Sequence, residues 1–223
     1  MTPLRIPEGL ALVFDLDGVI IDSMPMHTEA WRAYLERLGI LNNDFENQMH
    51  GGRNAEIVRA LIGAHLPPDE VFRHGAEKER LFREMMLPQL QRLIVPGLRE
   101  FLERTSGIPR AVASNAEPEN IDFVLDGAGL RQYFPVVVDG LQVSRPKPWP
   151  DAYLRAAHLL QTPPKNCIIF EDSPAGIAAA RAAGSRVAGI ATHTMDLPDV
   201  DVLVRDFRDP ALAQWLERQQ ASL

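Results

Sequence analysis

Short, uninterrupted apolar runs recur along this chain and predict the strands of a buried sheet. The runs lack the alternation of polar and apolar residues that marks a strand with one exposed face. Uninterrupted apolar strands are typical of parallel sheets, which helices cover on both faces. The predicted strands are Leu10–Phe14, Ala111–Ala113, Val136–Val138, Ile168–Phe170 and Val187–Ile190.

Helical patterns lie between these runs. The stretch 121–128 places its apolar residues on one helix face, and Gly129 follows it as a C-terminal stop. Ser173-Pro174, followed by an alanine-rich stretch and Gly184, has the signature of an N-cap, a first-turn proline and a C-terminal glycine. Strands that alternate with helices in this way predict an α/β fold with a Rossmann-like parallel sheet.

The interval from residue 22 to residue 93 breaks this alternation. Its patterns are helical, beginning at Asp22-Ser23-Met24-Pro25 and continuing around Ala55–Gly63 and Asp69–Leu90. A block of this length is too long for a simple crossover between strands. We therefore predict an α/β core formed by residues 1–21 and 94–223, with residues 22–93 inserted as a helical domain.

Composition narrows the class of protein. Hydrophobic residues make up 46% of the 223 residues and charged residues 24%, as in an ordinary soluble globular protein. The formal charge of −7 argues against a general affinity for nucleic acids or anionic membranes. The single cysteine, Cys167, lies in an apolar run and is expected to be a buried, inert thiol. With neither a signal peptide nor a membrane span in the sequence, a cytoplasmic enzyme is expected.

Polar residues follow three of the predicted strands. Asp15 and Asp17 follow the first strand, Ser114-Asn115 the second, and Glu171-Asp172 the fourth. The carboxyl ends of parallel strands share one edge of a sheet, where ligands bind in open α/β folds. Lys147, one of only three lysines, lies in a proline-rich loop between the last two motifs. We expect these groups to converge.

Clustered carboxylates and a lysine indicate Mg²⁺-dependent phosphoryl transfer. Gathered acids repel one another unless a cation lies among them, and oxygen ligands favour Mg²⁺. Asp15 is then the expected nucleophile, and Asp17 the acid that protonates the leaving oxygen and later deprotonates the acceptor. Lys147 and the Ser114 hydroxyl are expected to neutralise phosphoryl oxygens. The alternatives are an ordinary turn at Asp15-Leu16-Asp17-Gly18, helix caps at the other strand ends, and a solvated lysine.

In these segments the chain resembles the haloacid dehalogenase-like superfamily of phosphotransferases over its whole length. The matching segments are Phe14–Ser23, Ser114–Ala116, Pro146–Pro148 and Ile169–Ile177. The resemblance implies a Mg²⁺ site made by the Asp15 and Asp172 side chains and the Asp17 backbone carbonyl. It assigns Glu171 a nearby or water-mediated role. The helical insert is similar to the cap of the beta-phosphoglucomutase and phosphoglycolate phosphatase branch.

The inserted domain is expected to choose the substrate, a small phosphorylated metabolite. In the mutases that this branch contains, a histidine at the position of His27 contributes to substrate-dependent closure; a core histidine is the alternative. The glycine-rich, basic segment around His50 suits a phosphate or hydroxyl group, or is a plain loop between helices. The mutases carry a lysine where this chain has His50. The candidate substrate-binding residues are Asn115 in the core and His27, Glu29, His50, Arg53 and Asn54 in the insert.

Three functions follow from this sequence. The first is a Mg²⁺-dependent phosphatase that acts on a sugar or polyol phosphate through an aspartyl-phosphate. The second is a sugar phosphomutase, which would use the same residues with a sugar hydroxyl in place of water. The third is a catalytically silent binding protein, which the intact set of reactive residues disfavours.

Overall fold

The computed structural model describes residues 3–4, 6–40, 45 and 53–219. The chain forms two compact units. One unit comprises Met1–Asp22 and Leu93–Leu223, and the other comprises Ser23–Arg92. We refer to them as the core unit and the helical unit.

The core unit is built on a six-stranded sheet in which every neighbouring pair of strands is parallel. The first strand in the sequence lies in the interior of the sheet, between the second and the fourth. The predicted α/β fold with a parallel Rossmann-like sheet is therefore confirmed. In the order β3-β2-β1-β4-β5-β6, the strands are β1 Ala11–Phe14, β2 Arg110–Ala113, β3 Val136–Val138, β4 Cys167–Glu171, β5 Arg186–Ile190 and β6 Val202–Val204.

Helices connect these strands and supply the apolar cover that a parallel sheet needs. The helix after β4 has the predicted N-cap, because the Ser173 hydroxyl accepts a hydrogen bond from the Gly176 amide at 3.0 Å. Gly184, with φ +80°, follows that helix in the left-handed conformation favoured at helix ends. The described core helices are α4 Leu98–Arg104, α5 Pro118–Gly127, α6 Asp151–Leu159, α7 Pro174–Ala182 and α8 Pro210–Leu216.

Aromatic packing fixes the relative position of the two strands that carry acids at their ends. Phe14 pairs with Phe170 in the parallel register of β1 and β4, and their rings stack at 4.5 Å with an interplanar angle of 14°. Phe101, Phe134 and Phe207 approach this stack at edge-on or tilted angles. The residues that directly follow the stacked pair are Asp15 and Glu171, so the packing beneath holds both carboxylates.

The helical unit has an apolar core of its own. Trp31 and Tyr34 on the first helix and Val58 on the second are buried in one cluster with Val71 and Leu81 on the third. The helical unit therefore forms a hydrophobic core from one continuous stretch of sequence, which lies between the two segments of the core unit. Its described helices are α1 Met24–Arg37, α2 Asn54–Leu61 and α3 Pro68–Met86, followed by a 3₁₀ turn over Leu87–Gln89.

Cys167 is the first residue of β4, a strand that is buried along its whole length. Cys167 is 1% exposed, so the predicted burial of its thiol is confirmed, and burial raises the pKa of this thiol to about 11, which disfavours the reactive thiolate. The strand β6 is not among the predicted strands. Its apolar run Val202–Val204 is as long as the predicted runs Ala111–Ala113 and Val136–Val138, and it lies between the charged Asp201 and Arg205. Among the described residues, no helix is both long enough and apolar enough to span a bilayer.

Candidate active site

The chain turns sharply where β1 ends. Gly18 has φ +76°, a left-handed backbone conformation that residues other than glycine rarely adopt. Its amide donates to the Ile21 carbonyl at 2.7 Å, which closes the turn directly after Asp17. The Asp15 amide donates to the Phe170 carbonyl of β4 at 3.0 Å. Asp15 is thus fixed at the sheet edge, and Asp17 lies in the tight turn beyond it.

Lys147 bridges the acids at the ends of β1 and β4. Its Nζ donates to Asp15 Oδ1 and to Glu171 Oε1, each at 2.7 Å. Lys147 is 6% exposed, so this cation lies inside the site and is not a solvated surface lysine. Burial alone would lower the pKa of the ammonium, but the charges of Asp15 and Glu171 raise it above its usual value. The lysine therefore stays charged beside Asp15.

Protein donors engage both oxygens of Glu171. Oε1 accepts from Lys147 and from the Tyr153 hydroxyl, while Oε2 accepts from the backbone amides of Asp172 and Ser173 and from the Ser173 hydroxyl. The side chain is 0% exposed. Both oxygens of Glu171 accept hydrogen bonds from protein donors. The carboxylate therefore fixes the positions of Lys147, Tyr153 and the backbone at Asp172 and Ser173.

Asp15, Glu171 and Asp172 each present an oxygen within one 4.8 Å cluster that has the dimensions of a metal site. Burial, opposed by Lys147, raises the pKa of Asp15 to about 7. Burial together with Glu171 and Asp15 raises the pKa of Asp172 to about 9. A single ammonium does not balance these acids, so their charges and oxygen ligands fit a divalent cation such as Mg²⁺.

Gly18 makes room for this arrangement. A Cβ at position 18 would lie 1.8 Å from Asp172 Oδ2. The backbone of the β1 turn therefore passes closer to the Asp172 carboxylate than any other residue type would allow. This close approach brings the turn after β1 and the acid after β4 to the same place.

The end of β2 contributes Ser114 and Asn115. Ser114 is 2% exposed, and its Oγ accepts from the Ala116 amide at 3.1 Å, which leaves its O–H as a donor. The side-chain Oδ1 of Asn115 accepts from the Lys147 amide at 3.1 Å. The sequence predicts Asn115 as a substrate contact. In the structure, its side-chain oxygen stabilises the position of the loop that carries Lys147.

The candidate residues of the helical unit have neighbours within that unit. His27 Nδ1 lies 2.9 Å from Lys78 Nζ, and its ring stacks on Phe82 at 3.8 Å. The Arg53 amide donates to the Glu56 side chain at 3.2 Å at the start of α2, where Asn54 is the first helical residue. Glu29 pairs with Arg32 on the same helix. His50 lies outside the described residues.

Three residues at these sites are not foreseen from the sequence. Tyr153 touches both Glu171 and Lys147, and Thr192 donates its hydroxyl to the Gly18 carbonyl at 2.5 Å. Lys78 is 2% exposed and pairs with Glu79 at 2.8 Å. A signal existed only for Lys78, since lysine is rare in this chain. A single tyrosine in a helix or threonine in a loop forms no recognisable pattern.

Gly176→Ala is expected to destabilise the site despite the better helix propensity of alanine. A Cβ there would lie 1.7 Å from Glu171 Oε1, and the donors around that carboxylate prevent it from moving away. Overpacking of this kind costs about 2–3 kcal/mol in the free energy of unfolding, measured by urea denaturation. The control is Gly107→Ala in an exposed turn, where a Cβ meets nothing within 4 Å. Equal stability of the two variants would contradict the close packing at Gly176.

A family model described as haloacid dehalogenase-like hydrolase matches residues 10–184. Among curated proteins, the fructose-1-phosphate phosphatase YqaB of Escherichia coli is 36% identical over 179 residues, covering 78% of this chain and 92% of that protein. A phosphorylated carbohydrates phosphatase of Thermotoga maritima is 32% identical over 194 residues, covering 83% and 87%. Both relatives align with most of their length.

Solved structures agree with these matches in fold. The beta-phosphoglucomutase of Clostridium difficile superposes with a TM-score of 0.78 at 24% identity, covering 93% of this chain and 99% of that one. Identity at this level supports the shared architecture and no further property.

Proposed function

This chain belongs to the haloacid dehalogenase-like hydrolases, and from that premise we propose that it is a Mg²⁺-dependent phosphatase. The proposed substrate is a small phosphorylated sugar or polyol. The observation that carries the proposal is the contact of Lys147 with Asp15, in a cluster that also contains Asp172. A buried carboxylate beside a buried cation and a second acid is suited to attack on a phosphoryl group.

In the first step of the proposed reaction, an Asp15 carboxylate oxygen attacks phosphorus. The bond between phosphorus and the ester oxygen breaks, and the Asp17 carboxyl donates its proton to the departing oxygen. The products are the free alcohol and an aspartyl-phosphate on Asp15. The Lys147 ammonium and the O–H of Ser114 are the proposed donors to the phosphoryl oxygens.

In the second step, Asp17 reverses its role. Its carboxylate accepts a proton from water as the water oxygen attacks phosphorus. The bond between phosphorus and Asp15 breaks, which releases inorganic phosphate and restores the Asp15 carboxylate. Asp17 is protonated again and ready for the next substrate.

The side chains of Asp15 and Asp172 and the backbone carbonyl of Asp17 are the proposed ligands of Mg²⁺. When bound, the cation supplies charge neutralisation at the phosphoryl oxygens. Glu171 is proposed to act indirectly, because its oxygens are engaged by protein donors.

Mg²⁺ is expected to stabilise this chain more strongly at high pH than at low pH. Folding raises the pKa of Asp15 to about 7 and that of Asp172 to about 9, so the metal-free folded chain binds protons that the unfolded chain has lost. The metal-free free energy of unfolding should therefore fall as pH rises from about 4 toward 9. The cation replaces these protons, and its affinity rises over the same window.

The measurement is the change in melting temperature on adding MgCl₂ at pH 6 and at pH 8.5, with NaCl at matched ionic strength as the salt control. The increment should be larger at pH 8.5, and Asp172→Asn should remove most of it. An increment independent of pH, or one that Asp172→Asn retains, would contradict the proposed ligands.

Phosphorylated sugars are the proposed substrate class because two relatives of this chain are phosphatases named for phosphorylated carbohydrates. The proposed substrate contacts remain those predicted from the sequence: His27, His50, Arg53 and Asn54 between the two core segments, and Asn115 of the core unit. A basic residue and hydrogen-bonding side chains suit the hydroxyl groups of such a substrate.

The test is a panel of sugar and polyol phosphates incubated with Mg²⁺, with inorganic phosphate measured. Phosphate release that Asp15→Asn abolishes supports the phosphatase. Isomerisation that requires a sugar bisphosphate primer would instead establish a phosphomutase, in which a sugar hydroxyl replaces water. If neither reaction occurs across the panel, both enzymatic proposals fail, and the catalytically silent alternative gains support.

A further inference from the structure

Tyr153 contacts both Glu171, at the end of β4, and Lys147, which donates a hydrogen bond to Glu171. Its hydroxyl donates to Glu171 Oε1, and Lys147 Nζ lies 4.7 Å from the centre of its ring. The side chain is 1% exposed, and its residue belongs to α6, which follows the lysine loop. Burial, with Glu171 and Asp15, raises the pKa of the phenol well above its usual value. The hydroxyl therefore remains a donor.

Two donors share one carboxylate oxygen in this arrangement. Glu171 Oε1 accepts from Lys147 and from Tyr153 at the same time. The hydrogen bond from the tyrosine hydroxyl partly neutralises the negative charge on Oε1. Glu171 therefore attracts the Lys147 ammonium less strongly than it would without Tyr153. The ammonium also lies over the electron-rich face of the ring, which attracts a cation from a different direction.

We propose that Tyr153 is a positioning residue that sets the Lys147 ammonium between Glu171 and Asp15. The role deepens, and rests on, the phosphatase proposed above. Without the tyrosine hydroxyl, Glu171 Oε1 would draw the ammonium toward itself and away from the phosphoryl group on Asp15. The effect should fall on the transition state, where charge at the phosphoryl oxygens is distributed differently from the bound substrate.

Two substitutions separate the hydroxyl from the ring. Tyr153→Phe keeps the ring and removes the hydroxyl, and it is expected to lower kcat about tenfold with KM changed less than about threefold. Tyr153→Leu also removes the ring and is expected to lower kcat about a hundredfold. If the leucine variant does not fold, the phenylalanine variant decides the question alone.

The matched control is Tyr34→Phe in the helical unit. Tyr34 is 3% exposed and its hydroxyl lies 2.7 Å from His74 Nδ1, so this change also removes a buried tyrosine hydroxyl. It has no described contact with Lys147. It should leave kcat within about twofold of the wild-type value, as expected for a hydroxyl outside the reaction.

A spectroscopic measurement tests the position of Lys147 without turnover. The chain has only three lysines, so isotope-labelled lysine gives three side-chain amine signals, and Lys147→Met identifies one by its loss. This signal should shift in Tyr153→Phe and shift further in Tyr153→Leu, where the ring current is lost. Tyr34→Phe should leave it in place.

The proposal is overturned if the Lys147 signal is unmoved in Tyr153→Phe, or if the kcat of that variant stays within about twofold of wild type. A wild-type chain that hydrolyses no phosphate ester would be a failure of the proposed phosphatase. In that case the signal alone decides whether Tyr153 positions the lysine, so the two failures are distinguishable.

Discussion

Replacing Asp15 by asparagine is expected to abolish phosphate release, with kcat lowered by about 10⁴-fold or more. Asparagine has nearly the same shape as aspartate, but its amide is not a nucleophile toward phosphorus. Lys147 keeps its hydrogen bond to Glu171, so the surrounding site should remain in place. The measurement is release of inorganic phosphate from the best substrate of the panel, with wild type and variant purified in parallel.

Stability is the control for this variant. Burial raises the pKa of Asp15, which means that the charged carboxylate is unfavourable in the metal-free folded chain. The Asp15→Asn variant should therefore melt at the same temperature as wild type or higher when Mg²⁺ is absent at pH 8. A folded variant that keeps more than about a hundredth of wild-type turnover would remove Asp15 from the role of nucleophile.

Removing the Asp17 carboxylate is expected to produce the second-largest loss. Asp17→Ala should lower kcat about 10²–10⁴-fold on a sugar phosphate, the usual contribution of general acid–base catalysis. The proposed metal contact of this residue is its backbone carbonyl, which alanine retains. The loss should therefore reflect proton transfer, with a smaller effect on Mg²⁺ binding.

Leaving-group dependence makes this prediction specific. The p-nitrophenolate anion leaves without being protonated, so the Asp17→Ala variant should still transfer phosphate from p-nitrophenyl phosphate to Asp15. Hydrolysis of the aspartyl-phosphate would then be slow, and rapid mixing should show a burst of about one p-nitrophenol per enzyme molecule. A variant that loses the same factor on both substrates and shows no burst would contradict the acid–base role of Asp17.

The sequence is sufficient to predict five of the six strands of the sheet, because each of the five forms an uninterrupted apolar run. It also predicts which strand ends are close, since parallel strands end on one edge, and Asp15 and Glu171 at the ends of β1 and β4 share the Lys147 ammonium as a donor. The exception is β6, a three-residue apolar run between charged neighbours that is not among the predicted strands.

Side-chain partnerships are harder to predict. Glu171 accepts from five donors, and the side-chain oxygen of Asn115 accepts from the Lys147 amide, only when these groups are positioned to within a few tenths of an ångström. Such distances follow from the packing of the finished fold and not from spacing along the chain. Tyr153 illustrates the same limit, because its partners come from other parts of the sequence.

The interior position of β1 has a consequence for the order in which the fold assembles during synthesis. Lys147 follows Asp15 by 132 positions along the chain, and β4 follows Lys147. The helical unit, by contrast, has its own apolar cluster within one continuous stretch. During translation that unit can form while β1 still lacks both neighbouring strands. Asp15, the proposed nucleophile, is thus synthesised well before Lys147 and Glu171, which complete its surroundings.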